Sequence, residues 1–337
     1  MAGRVLVTGG GGFIGRRLVD YLLQRGYTVT VLDRARDDEA ARRSVEWVEG
    51  DTQDWQRVAS AVAGKEYIVH LAAGSNFLMY EQAPLPQTTG AIAGFQNILE
   101  AAKRYQVRKI IYASTSAVYE GNPVPYSEGM PLHPPDLKAF AKKVNEEMAH
   151  LYSQRFGIAA IGLRPFSVYG PGEVSKGPYA NIVSLFTWAM LSGRRPIVWG
   201  NGRQTRDFIY VDDAVEAILL ALTSNLVTQE INVGTGIETS FNEIIQLLNE
   251  QLALNLEPVY MPVPIDVYAK RLLGDTSLAS RVLGFKAHVG VREGVRRVVE
   301  AAQSLSASSK LTLGEMQERA NRLADIAQEP VISHNRR

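Results

Sequence analysis

The sequence predicts an α/β fold, a Rossmann-like doubly wound parallel sheet with a smaller C-terminal substrate-binding portion. Short apolar runs alternate with amphipathic segments through the first half of the chain, and a glycine-rich turn joins the first run to the first amphipathic segment. This alternation is typical of a parallel sheet covered by helices on both faces. After Arg164, prolines and glycines cluster and the elements become shorter, which indicates a second, smaller portion.

The predicted elements of the first half follow from spacing and residue type. Apolar and β-branched runs predict strands at residues 4–8, 28–32, 45–48, 67–71, 109–113 and 159–163. Apolar residues at helical spacing predict helices at residues 14–25, 91–105 and 136–156, the first of which ends at Gly26.

Composition and charge exclude several classes of function. The chain has 337 residues and a net charge of +1, with no basic stripe interleaved with aromatic residues, so a nucleic-acid-binding surface is not expected. It has no cysteine, and its histidines lack the spacing of metal ligands, so we predict no metal site. No apolar run reaches the roughly 18 residues of a membrane span, and no secretory signal is visible. We therefore expect a cytoplasmic protein that does not bind membranes.

The turn after the first strand has the pattern of a dinucleotide-binding site. Its glycines at Gly9, Gly12 and Gly15 are three residues apart. Such a turn needs positive φ, close approach of the backbone to a pyrophosphate, and close packing of helix against strand. Asp33 ends the second strand 18 residues after Gly15, where a carboxylate accepts hydrogen bonds from a ribose diol and repels the 2′-phosphate of NADP. The sequence therefore predicts NAD as the cofactor, although the neighbouring Arg34 weakens this charge-based preference.

From Arg4 to about Glu300 the chain resembles the extended short-chain dehydrogenase/reductases, in particular the NAD-dependent epimerase/dehydratase family that acts on nucleotide sugars. The resemblance rests on residues 8–15 with Asp33, on residues 50–52, 70–73, 114–119 and 163–172, and on the motif at 200–213. It implies cofactor contacts by Gly9, Gly12, Phe13, Ile14, Gly15, Asp33, Arg34, Asp51, Thr52, Leu71, Ala72, Ala73, Ser114, Lys142, Pro165 and Val168. It implies substrate contacts by Ser116, Ser167 and Arg206, where the arginine fork would grip a diphosphate.

The resemblance also implies an organisation into parts. Residues 1–165 are expected to form the NAD-binding domain, with a returning segment near 206–235. Residues 166–306 are expected to form the substrate-binding portion, and residues 307–337 a helical tail. The implied assembly is a homodimer built from the helices at 91–105 and 136–156.

The catalytic centre departs from the family pattern at one position. The family has a catalytic Thr or Ser after the fifth strand, here Thr115, and a Tyr four residues before a Lys on one helix face. Lys142 matches the Lys, and Lys138 occupies the position of the Tyr. Lys138 would transfer the proton itself if burial and like charge lower its pKa. Otherwise another group such as His133 supplies the proton, or the site binds without redox chemistry, or Lys138 is a solvated surface residue.

The residues after Thr115 indicate the reaction class. Dehydratases of the family carry an Asp-Glu pair there and sugar-acid decarboxylases a Glu, whereas this chain has Ser116 and Ala117. Elimination therefore lacks its acid and base. The leading hypothesis is a nucleotide-sugar epimerase or oxidoreductase that works by transient hydride transfer at a sugar hydroxyl. The alternatives are a catalytically inactive NAD-binding sensor or partner protein, and an enzyme with altered chemistry on a non-sugar substrate.

Overall fold

A sheet of seven strands, all parallel, forms the centre of the computed structural model, which describes residues 3–34, 45–264 and 268–308. Its strands are β1 (Arg4–Thr8), β2 (Thr28–Asp33), β3 (Glu46–Glu49), β4 (Tyr67–His70), β5 (Lys109–Ala113), β6 (Ala160–Pro165) and β10 (Thr228–Val233). They lie in the order β10-β6-β5-β4-β1-β2-β3. The order reverses between β1 and β4, and ligands of doubly wound sheets bind outside the carboxyl ends of the strands at such a point.

Helices cover both faces of this sheet, as the alternating pattern predicts. They are α1 (Phe13–Gln24), α2 (Trp55–Val62), α3 (Phe77–Gln82), α4 (Pro84–Tyr105), α5 (Leu137–Phe156) and α7 (Val211–Thr223). Val5 and Val7 pack with α1 and α7 on one face, while Leu6 packs with α2 and α4 on the other. The fully buried strands are therefore apolar on both sides, which is typical of a parallel sheet.

The predicted elements are present, with shifted ends. The largest shift is in α4, which begins at Pro84 rather than at residue 91. Pro84 and Pro86 interrupt the apolar spacing in the sequence, but proline is tolerated in the first turn of a helix, where its missing N–H has no intrahelical partner. The apolar spacing did not predict the short helices α2 and α3.

The smaller portion is built from short strands and the later helices. Its strands are β7 (Ser167–Tyr169), β8 (Ile197–Trp199), β9 (Thr205–Tyr210), β11 (Glu238–Ser240), β12 (Val259–Met261) and β13 (Arg271–Leu272). Its helices are α6 (Ile182–Leu191), α8 (Phe241–Leu252), α9 (Ser277–Leu283) and α10 (Val291–Ser308). Strand β9 pairs with β7, β11 and β13 and so belongs to the smaller portion. The chain then rejoins the main domain through α7, and β10 pairs with β6 at the edge of the main sheet.

Two predictions concern regions at the limits of this description. The tail helix expected within residues 307–337 lies outside the described residues beyond position 308. Within the described part of the chain, no helix combines the length and apolar character needed to cross a membrane.

Candidate active site

A cavity of about 1820 Å³ opens at the carboxyl ends of β1, β2, β4 and β5, between the main sheet and the smaller portion. All the cofactor-binding residues predicted from the sequence line it. So do the predicted catalytic residues Thr115, Lys138 and Lys142, and the predicted substrate contacts Ser167 and Arg206. The fold therefore brings residues from distant parts of the chain to one place.

The glycine turn leaves no room for side chains on its inner side. Gly9 has a φ of +71°, and a Cβ there would lie 2.8 Å from the backbone nitrogen of Ala72. A Cβ on Gly15 would lie 2.1 Å from the carbonyl oxygen of Gly9, so the helix packs directly on the turn. Gly12 is the N-cap of α1 and supplies no capping side chain. This cradle fits a pyrophosphate held by backbone N–H groups at a helix N-terminus.

The carboxylate of Asp33 is fixed at the end of β2 beside this turn. It accepts hydrogen bonds from the backbone N–H of Gly11 at 2.9 Å and from that of Arg34 at 2.7 Å. A Cβ on Gly11 would lie 3.1 Å from this carboxylate and 3.2 Å from the ring of Trp47. A held carboxylate on the cavity wall suits a ribose diol, so the residues present fit NAD.

The two lysines of α5 lie on the wall near the end of β5. Lys142 is buried, and its ammonium donates a hydrogen bond to the carbonyl oxygen of Ala113 at 2.7 Å. Burial and the charge of Lys138 lower the pKa of Lys142 to about 8, against the opposing charge of Glu146. Burial also lowers the pKa of Lys138, and the charge of Lys176 adds to this shift while Asp136 opposes it. Lys138 is half-buried and lines the cavity.

In the segment after β5, the predicted catalytic residue Thr115 lines the cavity, whereas the predicted substrate contact Ser116 does not. Thr115 is buried on the cavity wall, and its hydroxyl accepts a hydrogen bond from the backbone N–H of Ala117 at 3.2 Å. Ser116 is also buried, but the cavity is lined by Ala117 and Glu120 instead, because a short 3₁₀ helix begins at Ser116. The expected substrate contact of Ser116 therefore has no support in this geometry.

His133, considered as another source of the proton, is exposed and lies outside the cavity wall. Its backbone N–H donates to the carbonyl oxygen of Val118 at 2.8 Å, which ties the segment before α5 to the 3₁₀ helix. Of these two candidate proton donors, Lys138 lines the cavity and His133 does not.

A buried polar network holds β5, α5 and β6 together behind the lysines. Arg164 donates two hydrogen bonds to the carboxylate of Glu146, each at 2.8 Å, and a third to the hydroxyl of Tyr119 at 2.6 Å. Ser114 also donates to Glu146, at 2.5 Å, and Tyr119 donates to Asn232 at 2.9 Å. The network fixes the position of α5 relative to the strand ends, and the sequence analysis did not identify it.

The far end of the cavity contains an arginine held by aromatic rings. The Arg206 guanidinium donates to the carbonyl oxygens of Thr205 at 2.8 Å and Ala269 at 2.9 Å. It lies 5.3 Å from the ring centroid of Phe241 and 5.6 Å from that of Tyr268. Burial lowers its pKa. A cation fixed in this way, on a cavity wall, suits an anionic diphosphate.

The wall also contains residues that the sequence analysis did not name, among them Glu120, Lys176 and Tyr268. Glu120 follows the 3₁₀ helix, and burial raises its pKa against the attraction of Arg206. Lys176 lies in a 3₁₀ helix after β7 (Glu173–Tyr179), and Tyr268 precedes β13. Glu120 directly follows the motif at residues 114–119, so the sequence could have identified this acidic side chain as a candidate site residue. Lys176 belongs to a short 3₁₀ helix and Tyr268 to an irregular segment, and the proximity of both to the site depends on the tertiary fold.

The match to known proteins agrees with this geometry. Residues 5–234 match the model of the NAD dependent epimerase/dehydratase family. The chain belongs to this family. It is 35% identical to a putative UDP-glucose 4-epimerase of Methanocaldococcus jannaschii and 34% identical to a UDP-glucose 4-epimerase of Mycolicibacterium smegmatis, each match covering 88% of this chain and 97% of the relative.

A solved structure shows the same architecture. The UDP-glucose 4-epimerase of Thermotoga maritima with UDP-glucose superposes with a TM-score of 0.84 at 31% identity, over 89% of this chain and 99% of that one. The UDP-glucose 4-epimerase of Thermus thermophilus in complex with NAD superposes with a TM-score of 0.81 at 30% identity, over 89% of this chain and 99% of that one. Together with the family match, these structures confirm the predicted fold class, the predicted family and NAD as the cofactor.

Proposed function

We propose that this protein is an NAD-dependent nucleotide-sugar epimerase in which Lys138 carries the proton that a tyrosine carries in the family. The carrying observation is that one cavity contains the glycine turn with Asp33, the Thr115–Lys138–Lys142 group and Arg206. The relatives named above favour UDP as the nucleotide. NAD and nucleotide sugars are used in the cytoplasm, where we place the reaction.

The chain's own residues account for the proton transfers. Held by the glycine turn and Asp33, NAD would supply the hydride acceptor for oxidation of the sugar carbon and the hydride donor for its reduction on the other face. The neutral amine of Lys138 takes the hydroxyl proton as the sugar is oxidised, and gives it back to the ketone oxygen. Thr115 hydrogen-bonds the reacting oxygen, and Lys142 holds the nicotinamide ribose. A base must be unprotonated to start this sequence, and the lowered pKa of Lys138 meets that need.

The neutral positions after Thr115 separate epimerisation from elimination. Neither Ser116 nor Ala117 can remove or donate a proton in the way that a carboxyl group does. The remaining distinction is between an epimerase and an oxidoreductase, which depends on whether the ketone is reduced in place or released.

The first experiment is a substrate test with variants at the lysine. The purified protein is assayed for bound NAD and incubated with UDP-, GDP- and dTDP-sugars, with products resolved by chromatography and NMR. We expect epimer formation that is lost in Lys138→Ala, restored in part by added methylamine, and absent in Lys138→Arg because a guanidinium does not deprotonate. Lys143→Ala is the matched control, since Lys143 lies on the same helix but outside the cavity wall.

Other outcomes would overturn the proposal in distinguishable ways. Turnover that persists unchanged in Lys138→Ala would remove the lysine from the mechanism. An inactive wild type that binds NAD and gains epimerase activity in Lys138→Tyr would identify a catalytically inactive NAD-binding protein. If neither form converts a nucleotide sugar, the proposal of a nucleotide-sugar epimerase fails.

We also propose that the protein is a homodimer through α4 and α5. Leu137, Phe140 and Leu151 lie at helical spacing on α5, and each is 38–47% exposed. An exposed apolar stripe of this kind marks an association surface. Light scattering after gel filtration should give a dimer, and Phe140→Glu a monomer. The control Ile237→Glu, at an exposed apolar site just before β11 in the smaller portion, should leave the mass unchanged.

A further inference from the structure

We propose that Lys176 is a further cofactor-binding residue, whose ammonium donates hydrogen bonds to the pyrophosphate of bound NAD. Lys176 belongs to the 3₁₀ helix Glu173–Tyr179 of the smaller portion, far along the chain from the glycine turn. The inference goes beyond the proposed function, because it concerns the cofactor alone and holds whichever group moves the proton.

The Lys176 ammonium lies beside the turn that forms the cofactor cradle. It is 5.3 Å from the ring centroid of Phe13, which is the first residue of α1. The chain just before the 3₁₀ helix also approaches this ring, since a Cβ on Gly172 would lie 3.9 Å from Cδ2 of Phe13. Lys176 and Phe13 both line the cavity. A cation is therefore present next to the helix N-terminus whose backbone N–H groups face the pyrophosphate.

A buried carboxylate holds this ammonium in place. The Glu173 side chain is 0% exposed, and one of its oxygens accepts hydrogen bonds from the Lys176 ammonium at 2.7 Å and from the backbone N–H of Asn181 at 2.9 Å. Its other oxygen accepts from the Ser184 hydroxyl at 2.6 Å. Lys176 lines the cavity and Glu173 does not. Because an ammonium has three N–H donors and Glu173 takes one of them, Lys176 can bind the carboxylate and an anion in the cavity at the same time.

The other end of the 3₁₀ helix is bound to α3, which also contributes to the cavity wall. The carbonyl oxygen of Tyr179 accepts a hydrogen bond from the side chain of Asn76 at 3.4 Å, and the Tyr179 hydroxyl donates to Gln82. Asn76 is itself fixed as the N-cap of α3, where it accepts from the backbone N–H of Leu78 at 3.0 Å. Lys176 therefore lies in a segment that is held at both ends, by α6 and by α3.

The position of Lys176 assigns it to the dinucleotide rather than to the nucleotide sugar. The pyrophosphate of NAD is anionic, and the cradle offers it backbone N–H groups rather than a charged cap, since Gly12 is the N-cap of α1. A lysine ammonium adds a full positive charge there and is a common ligand of phosphate groups. The diphosphate of the sugar nucleotide is assigned to Arg206, at the far end of the same cavity.

The test measures the Kd of NAD by calorimetry on cofactor-free protein, for Lys176→Met and for Lys176→Arg. Lys103→Met is the matched control, because Lys103 also pairs with a glutamate three residues earlier and lies 4.2 Å from the ring centroid of Phe156, away from the cavity wall. We expect Lys176→Met to weaken NAD binding by about 10- to 100-fold, the loss that accompanies removal of a charged hydrogen-bonding partner. Lys176→Arg should keep most of the affinity and Lys103→Met all of it.

Two further measurements separate ligand binding from support of the fold. The Kd of NAD should depend less on NaCl concentration in Lys176→Met than in wild type, because one charged contact with the ligand is lost. Lys176→Met also leaves Glu173 without its cation, so it is combined with Glu173→Gln to remove that charge. NAD binding should stay weak in this double variant relative to Glu173→Gln alone. Thermal unfolding confirms that each variant is folded.

Three results would overturn the inference. An unchanged Kd of NAD in Lys176→Met would show that the lysine does not contact the cofactor. Recovery of the affinity in the double variant would show that Lys176 only neutralises Glu173. A weaker Kd for UDP in the NAD-loaded protein, with NAD binding unchanged, would assign Lys176 to the diphosphate of the nucleotide sugar. These measurements need no turnover, so a protein that fails the epimerase test still tests this inference.

Discussion

Replacing Lys142 by methionine should stabilise the fold at neutral pH while removing activity. Lys142 is buried, and its ammonium is held by one backbone carbonyl and repelled by Lys138. Its pKa falls from an ordinary 10.5 to about 8, so the charged form is less favourable in the folded protein than in the unfolded chain. Methionine keeps most of the side-chain volume without the charge.

The magnitude follows from proton linkage. Below pH 8 the lysine is charged in both states, and the shift costs the wild type about 3 kcal/mol. Between about pH 8 and 10.5 the unfolded chain binds more protons than the folded one, so the cost falls as pH rises, to about 1 kcal/mol at pH 10. Losing the hydrogen bond to Ala113 costs about 1 kcal/mol at either pH. The net gain for Lys142→Met is therefore about 2 kcal/mol at pH 7 and close to zero at pH 10.

Urea unfolding at pH 7 and pH 10 measures this difference, with Lys103→Met as the control for removal of an exposed lysine. The control should show a small change that is the same at both pH values. A Lys142→Met variant that is less stable than wild type at pH 7, or whose advantage does not fall with pH, would refute the assignment of a strained buried charge. NAD-dependent turnover of the variant should be undetectable at both pH values.

Three further predictions concern other parts of the site. Gly15→Ala should abolish NAD binding and lower the thermal midpoint, because its Cβ would lie 2.1 Å from a backbone oxygen; calorimetry showing normal NAD affinity would contradict the cradle. Asp33→Asn should weaken NAD binding and reduce the preference for NAD over NADP by about tenfold, since the repulsion of a 2′-phosphate is removed; an unchanged ratio of the two Kd values would exclude this role. Glu146→Gln should lower the free energy of urea unfolding by about 3–5 kcal/mol by leaving Arg164 buried without its counter-ion, and Glu146→Leu with Arg164→Met should recover most of it; an additive double variant would show that the pair is not coupled.

Much of the cofactor site could be predicted because its chemistry is local in the sequence. The tight turn restricts Gly9 and Gly15 to a single residue type, and Asp33 follows at the end of the next strand. The main sheet places β1 beside β2, so residues close in the chain are close in space. The sequence pattern was therefore enough to predict which of these residues lie together in the structure.

The substrate side was less predictable because its residues come from irregular segments. Arg206 was found through its motif, but the rings of Phe241 and Tyr268 that hold it come from α8 and from the segment before β13. Lys176 is paired with Glu173, and no spacing in the sequence predicts that their 3₁₀ helix brings Lys176 to within 5.3 Å of the ring centroid of Phe13. Ser116 was assigned to the substrate from its place in a motif, but the motif does not reveal the 3₁₀ helix that buries this side chain.

In the part of the chain that the structure describes, Arg164, Lys142, Arg206 and Lys109 differ in the groups to which they donate hydrogen bonds. Arg164 is paired with a buried carboxylate and supports the fold. Lys142 and Arg206 donate instead to backbone carbonyls, which leaves their positive charge uncompensated by those contacts. Lys109 also donates to carbonyls, but it lies under the end of α7, outside the cavity, and ties that helix to β5. A buried cation without a carboxylate partner on the wall of a cavity therefore indicates a ligand-binding role. Its cost to folding would be offset by an anionic or electron-rich ligand, such as a dinucleotide or a nucleotide diphosphate.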